Sequence, residues 1–243
     1  MSLISIKNVS KKFGKQTVLD NISLDFKDGN SIALIGPNGS GKTTLIKAIL
    51  GLVLPDSGQI LVKNQTISES PQYREIIGYM PQLSLFPQNM KVQELFALIE
   101  NIRKEKPKNG YDVSLYQDFE IAKMRYKALG TLSGGMKQQV SAALAFYFSP
   151  EIIILDEPTA GLDPLSNEIL KRKINTAQQD ERLVLTTSHI LSDLDEICSH
   201  VIYLMEGKVL FNKSIDEMRS QTKENRLNKM VAQLLNSKQH EQN

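Results

Sequence analysis

The sequence predicts an α/β fold: a parallel sheet with an antiparallel β segment near the N-terminus and an inserted helical segment. Three observations support this. Short, mostly apolar runs at 31–35 and 152–155 are typical of strands buried on both faces. Residues 3–26 alternate between apolar and polar side chains, as half-buried strands do. Between 87 and 148 the apolar residues recur at helical spacing. This order of elements favours a parallel sheet carrying a helical subdomain.

The composition is that of an ordinary globular protein. Its 243 residues are 41% hydrophobic and 23% charged, and the net charge of +2 gives no basis for a nucleic-acid partner. A single cysteine, Cys198, rules out an internal disulfide. The N-terminus lacks the pattern of a signal peptide, and no apolar run is long enough to cross a bilayer. We therefore expect a cytoplasmic protein that acts at a membrane only through another chain.

The elements are expected in a definite order along the chain. A turn at 29–30 precedes the first buried strand, and a helix at 42–50 follows it. The remaining expected elements are strands at 59–62 and 76–80, a helix from Ser133 to before Pro150, strands at 152–155 and 183–186 with a crossover helix at 165–178, a hairpin at 201–210, and a helical tail after 215. A charged stretch with Pro and Gly, 103–110, is expected to be a solvated connector.

A glycine-rich loop follows the first buried strand. Residues 36–43 match the pattern G-x-x-x-x-G-K-[ST], and both the preceding strand and the following helix are present. In such a loop successive backbone N–H groups point inward and hold phosphate oxygens. Lys42 would bridge the β- and γ-phosphates, and the Thr43 hydroxyl would bind Mg²⁺. The residues expected to contact ATP are Gly36, Pro37, Asn38, Gly39, Ser40, Gly41, Lys42, Thr43 and Thr44.

Two carboxylates, Asp156 and Glu157, follow the second buried strand. A strand of a parallel sheet delivers its carboxyl end to the ligand crevice. Asp156 is therefore expected to hold Mg²⁺, and Glu157 to act as the general base for an attacking water. Adjacent carboxylates also occur in surface turns, but the apolar strand before them and the phosphate loop upstream favour a role in catalysis.

A second helix start resembles an anion site but has no lysine. Ser133 is expected to cap the helix, and Gly134 and Gly135 leave the first turn without side chains. Glycine costs a helix about 1 kcal/mol relative to alanine, so Gly135 indicates a close approach by another group. We interpret this segment as half of a nucleotide site.

Taken in order, these motifs resemble the nucleotide-binding subunit of ABC transporters, over nearly the whole chain to about Asn212. The resemblance implies a P-loop NTPase core at 1–86 and 149–212 that includes an antiparallel β subdomain. It implies a helical subdomain at 87–148 that carries the signature motif, and leaves a C-terminal helical tail at 213–243. Residues 36–44 then form the Walker A loop. The signature, normally Leu-Ser-Gly-Gly-Gln, departs from the family pattern at Met136.

The same resemblance implies roles for four further residues. Phe13 would stack on adenine, and Gln82 would sense the γ-phosphate and Mg²⁺. Asp163 would lie in the D-loop, and His189 would contact the γ-phosphate. With Lys42 and Glu157, Gln82 and His189 make up the expected catalytic set. The expected metal ligands are Thr43, Gln82 and Asp156.

The half site implies a homodimer. In a head-to-tail pair, Ser133, Gly134, Gly135 and Asp163 of one chain would meet the ATP bound to the Walker A loop of the other. An integral membrane permease would bind at a groove lined by 83–92 and 125–128. This would place the protein at the inner face of the cell membrane.

The cargo is left open by the residues. Within the family, segments 77–87, 157–164 and 187–190 resemble the ATPase that serves copper-site maturation in nitrous oxide reductase. That resemblance would add a periplasmic copper-handling protein as a partner. The alternatives are an exporter ATPase for a drug, lipid or polysaccharide, or a soluble ABC ATPase. A further alternative is a regulatory subunit that does not hydrolyse ATP. Such a subunit would be expected to lack Glu157 or His189, and both are present.

Overall fold

The computed structural model describes residues 2–103, 107 and 110–241, the last four as backbone only. Within these residues the strands are β1 (Ser2–Phe13), β2 (Gln16–Lys27), β3 (Ser31–Ile35), β4 (Ser57–Val62), β5 (Gln65–Thr66), β6 (Ile77–Met80), β7 (Ile152–Asp156), β8 (Leu183–Thr187), β9 (His200–Met205) and β10 (Lys208–Ser214). The α-helices are α1 (Lys42–Ile49), α2 (Val92–Arg103), α3 (Ser114–Asp118), α4 (Gly134–Phe146), α5 (Pro164–Gln179), α6 (Ile215–Thr222) and α7 (Leu227–Glu241).

A larger sheet forms the centre of the molecule, in the order β10-β9-β3-β8-β7-β6. Neighbouring strands from β9 to β6 run parallel, and only β10 pairs antiparallel with β9. Asp156, the last residue of β7, is paired with Thr187, the last residue of β8. The carboxyl ends of β3, β7 and β8 therefore meet at one edge of the sheet, where ligands bind in such folds.

Strand β7 is buried on both faces, as its apolar run predicted. Ile152 and Ile154 belong to one core cluster, together with residues of α1. Ile153 and Leu155 belong to the other cluster, which contains residues of the helical insert. The sheet thus separates two cores, and each fully buried aliphatic side chain contributes about 2 kcal/mol through the hydrophobic effect.

A second, antiparallel sheet has the order β2-β1-β4-β5, which confirms the N-terminal β segment. The β1–β2 pairing runs from Phe13 opposite Gln16 to Ser2 opposite Lys27. Alternate side chains of β1, including Ile4 and Ile6, are buried in the core shared with α1. This sheet therefore packs on the side of the central sheet that carries the phosphate loop helix.

The helical insert differs from the prediction at its connector. Arg103, expected to begin a solvated loop, ends α2 and donates to the backbone carbonyl oxygens of Glu75 and Ile77 at 2.8 and 3.2 Å. Residues 104–106 and 108–109 of the expected connector lie outside the described residues. The long side chain of Arg103 accounts for the difference, because it reaches back from the last turn of α2 to the residues at and just before the start of β6.

Helix α4 begins where the sequence predicts and packs closely on β6. The Ser133 hydroxyl accepts a hydrogen bond from the Met136 N–H and caps the helix. Gly78 of β6 lies against the backbone of α4, and a Cβ at this position would overlap the Ala145 carbonyl oxygen. The close approach fixes α4 beside the edge strand of the sheet.

We expect Gly78→Ala to lower the free energy of unfolding by about 3 kcal/mol or more, because the backbone atoms it meets cannot turn away. Gly134→Ala is the matched control, since a Cβ there has nothing within 4 Å. Alanine should slightly stabilise the first turn of α4. Urea unfolding followed by circular dichroism measures both. Equal midpoints for the two variants would contradict the packing.

The chain continues past the sheet in two helices. A capping box between Ser214 and Glu217 begins α6. The carboxylate of Asp195 accepts a hydrogen bond from the Leu227 N–H at the start of α7. No helix among the described residues combines the length and apolar character needed to cross a membrane.

Candidate functional site

The phosphate loop lies between β3 and α1, and its glycines are required by its backbone. Gly36 and Gly41 have φ angles of 147° and 106°, in a region that L side chains rarely adopt. A Cβ on Gly36 would overlap the Leu204 carbonyl oxygen, and one on Gly41 would lie 2.6 Å from the Val18 carbonyl oxygen. Backbone conformation and close packing therefore both require glycine at these two positions.

Lys42 turns its ammonium group back over the loop. Its Nζ donates to the carbonyl oxygens of Gly36 and Pro37 at 2.8 and 2.9 Å. Burial lowers the pKa of Lys42, and the nearby carboxylates Glu157 and Asp156 oppose that shift. The loop thus holds a positive charge that makes hydrogen bonds a phosphate could replace.

A cavity of about 260 Å³ adjoins the loop. It is lined by Val18, Asn38, Gly39, Gly41, Lys42, Thr43, Thr44, Gln82, Asp156 and Glu157. The structure therefore brings together residues from the phosphate loop, the segment after β6 and the end of β7. Ser40 is buried behind them, and its hydroxyl has no hydrogen-bond partner among the described residues.

Asp156 is held in place by the neighbouring strand. Its Oδ1 accepts a hydrogen bond from the Thr187 hydroxyl at 2.5 Å. Burial raises the pKa of Asp156, and the adjacent Glu157 adds to the increase, while Thr187 and Lys42 oppose it. A cation in the cavity would favour the charged carboxylate, so this environment fits a metal ligand.

Glu157 lies against His189. Its Oε2 is 3.2 Å from the His189 Nδ1. The two residues follow β7 and β8, which are adjacent strands. Glu157 has a φ of 52°, and its N–H donates to the Thr187 hydroxyl at 3.0 Å and to the Thr187 carbonyl oxygen at 3.2 Å. The unusual backbone turn directs the carboxylate away from the strand and into the cavity.

The remaining predicted ATP contacts do not line this cavity. Gly36, Pro37 and His189 line a neighbouring cavity of about 470 Å³, whose far wall is formed by α7. Phe13 stands at the end of β1, 51% exposed, with the Lys11 Nζ 5.5 Å from its ring centroid. An exposed ring at a loop tip is free to stack on a planar base.

The cavity fits a nucleotide with a magnesium ion. It offers a lysine, the N–H groups of the glycine-rich loop and the positive end of α1 to phosphate oxygens. It offers Thr43, Gln82 and Asp156 to a cation, and oxygen donors of this kind are the ligands that Mg²⁺ accepts beside phosphates.

The signature glycine Gly135 meets a group of its own chain. A Cβ on Gly135 would lie 2.8 Å from the Gly161 carbonyl oxygen, whereas one on Gly134 would meet nothing. The close approach inferred from the sequence is therefore intramolecular, between Gly135 and the segment 161–163, which is expected to form the D-loop. Gly134 is the position that keeps the outer surface of the helix start open.

Asp163 caps its own helix. Its Oδ1 accepts from the N–H groups of Leu165 and Ser166, both at 3.0 Å, and its Oδ2 accepts from the Ser166 hydroxyl at 2.6 Å. The Ser166 side-chain hydrogen bond is the main cause that lowers the pKa of Asp163. Its expected contact with a partner's ATP stays a prediction.

An apolar groove of about 410 Å³ lies between the segment after β6 and helices α2 and α4. Leu83, Leu85 and Phe86 line it, as predicted, but Val92 is fully buried in the core. Residues 125–128 run beside 91–93 and do not line this groove. Its opposite wall is formed by Ser141 and Leu144 of α4 and by Phe148, which follows that helix.

Two residues that shape the nucleotide site were not predicted from the sequence. Val18, on β2, lines the cavity, and Thr187 holds both Asp156 and the backbone of Glu157. Thr187 follows an apolar run and ends β8, as Asp156 ends β7. This strand-end position was the signal that could have identified Thr187. Nothing in the local sequence marks Val18.

Comparison with known proteins gives consistent matches. The family described as "ABC transporter" matches residues 19–160. The ABC-type transporter ATP-binding protein EcsA of Bacillus subtilis (strain 168) is 32% identical over 225 residues, which cover 91% of each chain. The lantibiotic transport ATP-binding protein SrtF of Streptococcus pyogenes is 29% identical over 226 residues, 88% of this chain and 92% of that relative.

Solved structures agree with this result. One described as the ATP binding subunit of an ABC transporter has a TM-score of 0.88 and 28% identity, and covers 96% of this chain and 100% of that chain. A dimeric post-hydrolysis structure of the ATP-binding cassette MJ0796, bound to ADP and Pi, has a TM-score of 0.73 and 25% identity, and covers 87% of this chain and 98% of that chain.

Proposed function

The chain belongs to the ABC transporter family of ATP-binding, ATP-hydrolysing proteins, and we propose that it works as a homodimer whose ATP cycle drives a separate membrane permease. The observation that carries this proposal is the arrangement of one complete nucleotide site and one half site in the same chain. Lys42, Asp156 and Glu157 line the first site. Ser133 and Gly134 form an open helix start, and residues 133–136 include no lysine.

Hydrolysis needs a base and charge stabilisation, and this chain offers both. Glu157 would accept the proton of the attacking water, and His189, 3.2 Å away, would orient that carboxylate or contact the γ-phosphate. Lys42 and the loop N–H groups would hold the phosphates in line. Bound Mg²⁺ would neutralise phosphate charge, with Thr43, Gln82 and Asp156 as its protein ligands.

The dimer would be closed by ATP. Each signature segment 133–135, with Asp163, would face the nucleotide on the partner's phosphate loop. Converting a mostly open pair to a mostly closed one takes on the order of 5 kcal/mol. Two sites with several charge-assisted hydrogen bonds, at about 1.5–3 kcal/mol each, are sufficient. The dimeric state of the related MJ0796 cassette supports the proposal of a dimer.

The permease would dock at the apolar groove beside α4. Leu83 and Leu85, on either side of Ser84, are 68% and 85% exposed, and exposed apolar patches of this kind mark interaction sites. We propose that the core spans 1–86 and 149–212, with a helical subdomain at 87–148 and a tail at 213–243. Docking on the helical part would place the protein at the inner face of the membrane.

The cargo class is proposed from the relatives. The printed names of similar proteins refer to transport or export of a lantibiotic, bacitracin, Nod factor and lipopolysaccharide. These names support an exporter ATPase for a drug, lipid or polysaccharide. A role in copper-site maturation of nitrous oxide reductase, with a periplasmic copper-handling protein, is the second candidate and rests on segments 77–87, 157–164 and 187–190.

The dimer geometry can be tested by cross-linking. Ser133→Cys and Asn38→Cys, combined in the Glu157→Gln background, should form a disulfide between chains when ATP and Mg²⁺ are added. Both positions are exposed. Burial raises the pKa of the Cys198 thiol to about 12, so the native cysteine should not compete. Non-reducing electrophoresis would show a band of twice the mass.

The control keeps Asn38→Cys but replaces Ser133→Cys with Glu69→Cys, at an exposed position outside the half site. This pair should give no dimer band. A dimer band that does not depend on ATP, or no band at all under trapping conditions, would refute the head-to-tail arrangement. Copurification of the tagged chain from membranes, followed by mass spectrometry, would identify the permease and separate the cargo candidates.

A further inference from the structure

Two adjacent glutamines follow the signature on α4 and reach different loops. The Gln138 Oε1 accepts a hydrogen bond from the Ser84 hydroxyl at 2.5 Å. The Gln139 Nε2 donates to the Ser166 hydroxyl at 2.8 Å. Neighbouring residues of a helix point about 100° apart, so the pair can contact segments on two sides of α4.

The Gln138 contact leads to the segment after β6. Ser84 is two residues beyond Gln82, which lines the nucleotide cavity, and lies between the groove residues Leu83 and Leu85. Gln138 is only 6% exposed, so its carbonyl oxygen needs this partner. One hydrogen bond therefore joins the signature helix to a segment that serves both the nucleotide and the groove.

The Gln139 contact leads to the D-loop. Ser166, in the first turn of α5, donates its single hydroxyl hydrogen to Asp163 at 2.6 Å and so accepts from Gln139. One turn earlier on α4, Gly135 lies against Gly161. The segment 157–163, which begins at the proposed catalytic base, is thus attached to the same face of the signature helix.

We propose that Gln138 and Gln139 are positioning residues that make the two ATP sites of the dimer respond to each other. The inference rests on the proposed dimer, in which a signature serves the partner's ATP while Gln82 and Glu157 serve the chain's own. Through the two hydrogen bonds, a shift of either loop moves the signature helix. The occupancy of one site is thereby transmitted to the wall of the other.

The Gln139 link is tested with Gln139→Glu, Ser166→Ala and the double variant. Glutamate has no N–H to donate and adds a carboxylate next to Asp163. Each single change should lower kcat about three- to tenfold, the size expected for one hydrogen bond, and bring the Hill coefficient for ATP towards one. The double variant should be no worse than the poorer single one. Steady-state hydrolysis by the full chain measures all three.

Gln179→Glu is the matched control, because Gln179 is an exposed glutamine at the far end of α5. It makes the same chemical change and should keep the wild-type Hill coefficient. A merely structural role for Gln139 would lower the melting temperature but leave the Hill coefficient unchanged, and that result would overturn the inference.

The Gln138 link is tested from the half-exposed side, with Ser84→Ala, so that the buried glutamine stays in place. Loss of the hydroxyl should raise the Mg²⁺ concentration for half-maximal hydrolysis about three- to tenfold, because the Gln82 segment loses its attachment. Ser84→Thr keeps the hydroxyl and should restore the wild-type value. Equal values for the alanine and threonine variants would overturn this half of the inference.

The proposed dimer and the coupling through the glutamines predict different experimental failures. A Glu157→Gln chain that stays monomeric with ATP would overturn the dimer and this inference together. A chain that dimerises, but whose Hill coefficient is the same in the wild type and in Gln139→Glu, would overturn only the coupling through the glutamines.

Discussion

Glu157→Gln should slow ATP hydrolysis by about 10²–10⁴-fold and convert the chain into a stable dimer in the presence of ATP and Mg²⁺. Glutamine has the size of glutamate but cannot accept the proton of the attacking water. ATP would bind and close the dimer, yet the γ-phosphate would stay in place, so the dimer would not reopen. Size-exclusion chromatography with and without ATP measures the assembly, and phosphate release measures the turnover.

The matched control is Glu69→Gln, an exposed glutamate of the N-terminal half with no described side-chain contact to the site. It should hydrolyse ATP at the wild-type rate and show the wild-type elution profile. The proposed mechanism is wrong if Glu157→Gln hydrolyses ATP at the rate of the control. The dimer is wrong if that variant remains monomeric with ATP, both alone and with the permease.

Lys42→Ala should weaken ATP binding at least about a hundredfold and abolish measurable hydrolysis. The Lys42 ammonium already donates two hydrogen bonds, to Gly36 and Pro37, at the place where the loop turns. In the bound state these donors would go to phosphate oxygens, and a hydrogen bond to a charged group contributes about 1.5–3 kcal/mol. Alanine removes all of them and also the positive charge that offsets Asp156 and Glu157. Titration calorimetry with ATP measures the change.

Lys47→Ala provides the comparison, because Lys47 lies on the same helix α1 but is exposed and does not line the cavity. It should bind ATP within about a factor of two of the wild type, as expected for a solvent-screened charge. Tight ATP binding by Lys42→Ala would mean that the phosphates lie elsewhere, and the whole site assignment would have to be abandoned.

Much of the nucleotide site could be predicted from the sequence, because each of its motifs is a short run of consecutive residues. The glycine spacing at 36–43 marks the phosphate loop, although the backbone atoms that exclude a side chain there belong to Val18 and Leu204. The apolar run before Asp156 marks a strand end. What the sequence did not show was that Glu157 and His189 touch. They are brought to 3.2 Å because β7 and β8 are adjacent and parallel, and strand order is a property of the whole sheet.

Some predictions were wrong or incomplete because the residues concerned contact groups far away in the chain. Val92 was assigned to the groove but is buried in the core, because α2 turns that face inward. Arg103 was assigned to a solvated connector but reaches back to the carbonyl oxygens of Glu75 and Ile77. Gly135 was correctly read as a site of close approach, but the group that approaches it is Gly161 of the same chain.

The sequence by itself determined which residues carry the chemistry: the phosphate loop, the strand-end carboxylates and the capped signature helix. Each of these is marked by a short run of consecutive residues: the glycine spacing, the apolar run before the carboxylates, and the serine followed by two glycines. Only the tertiary structure decided what each face of α4 contacts, and therefore that Gln138 faces Ser84 while Gln139 faces Ser166. These two identical neighbouring side chains have different partners because a helix turns about 100° per residue. Each side chain therefore contacts the element that packs on its own side of α4.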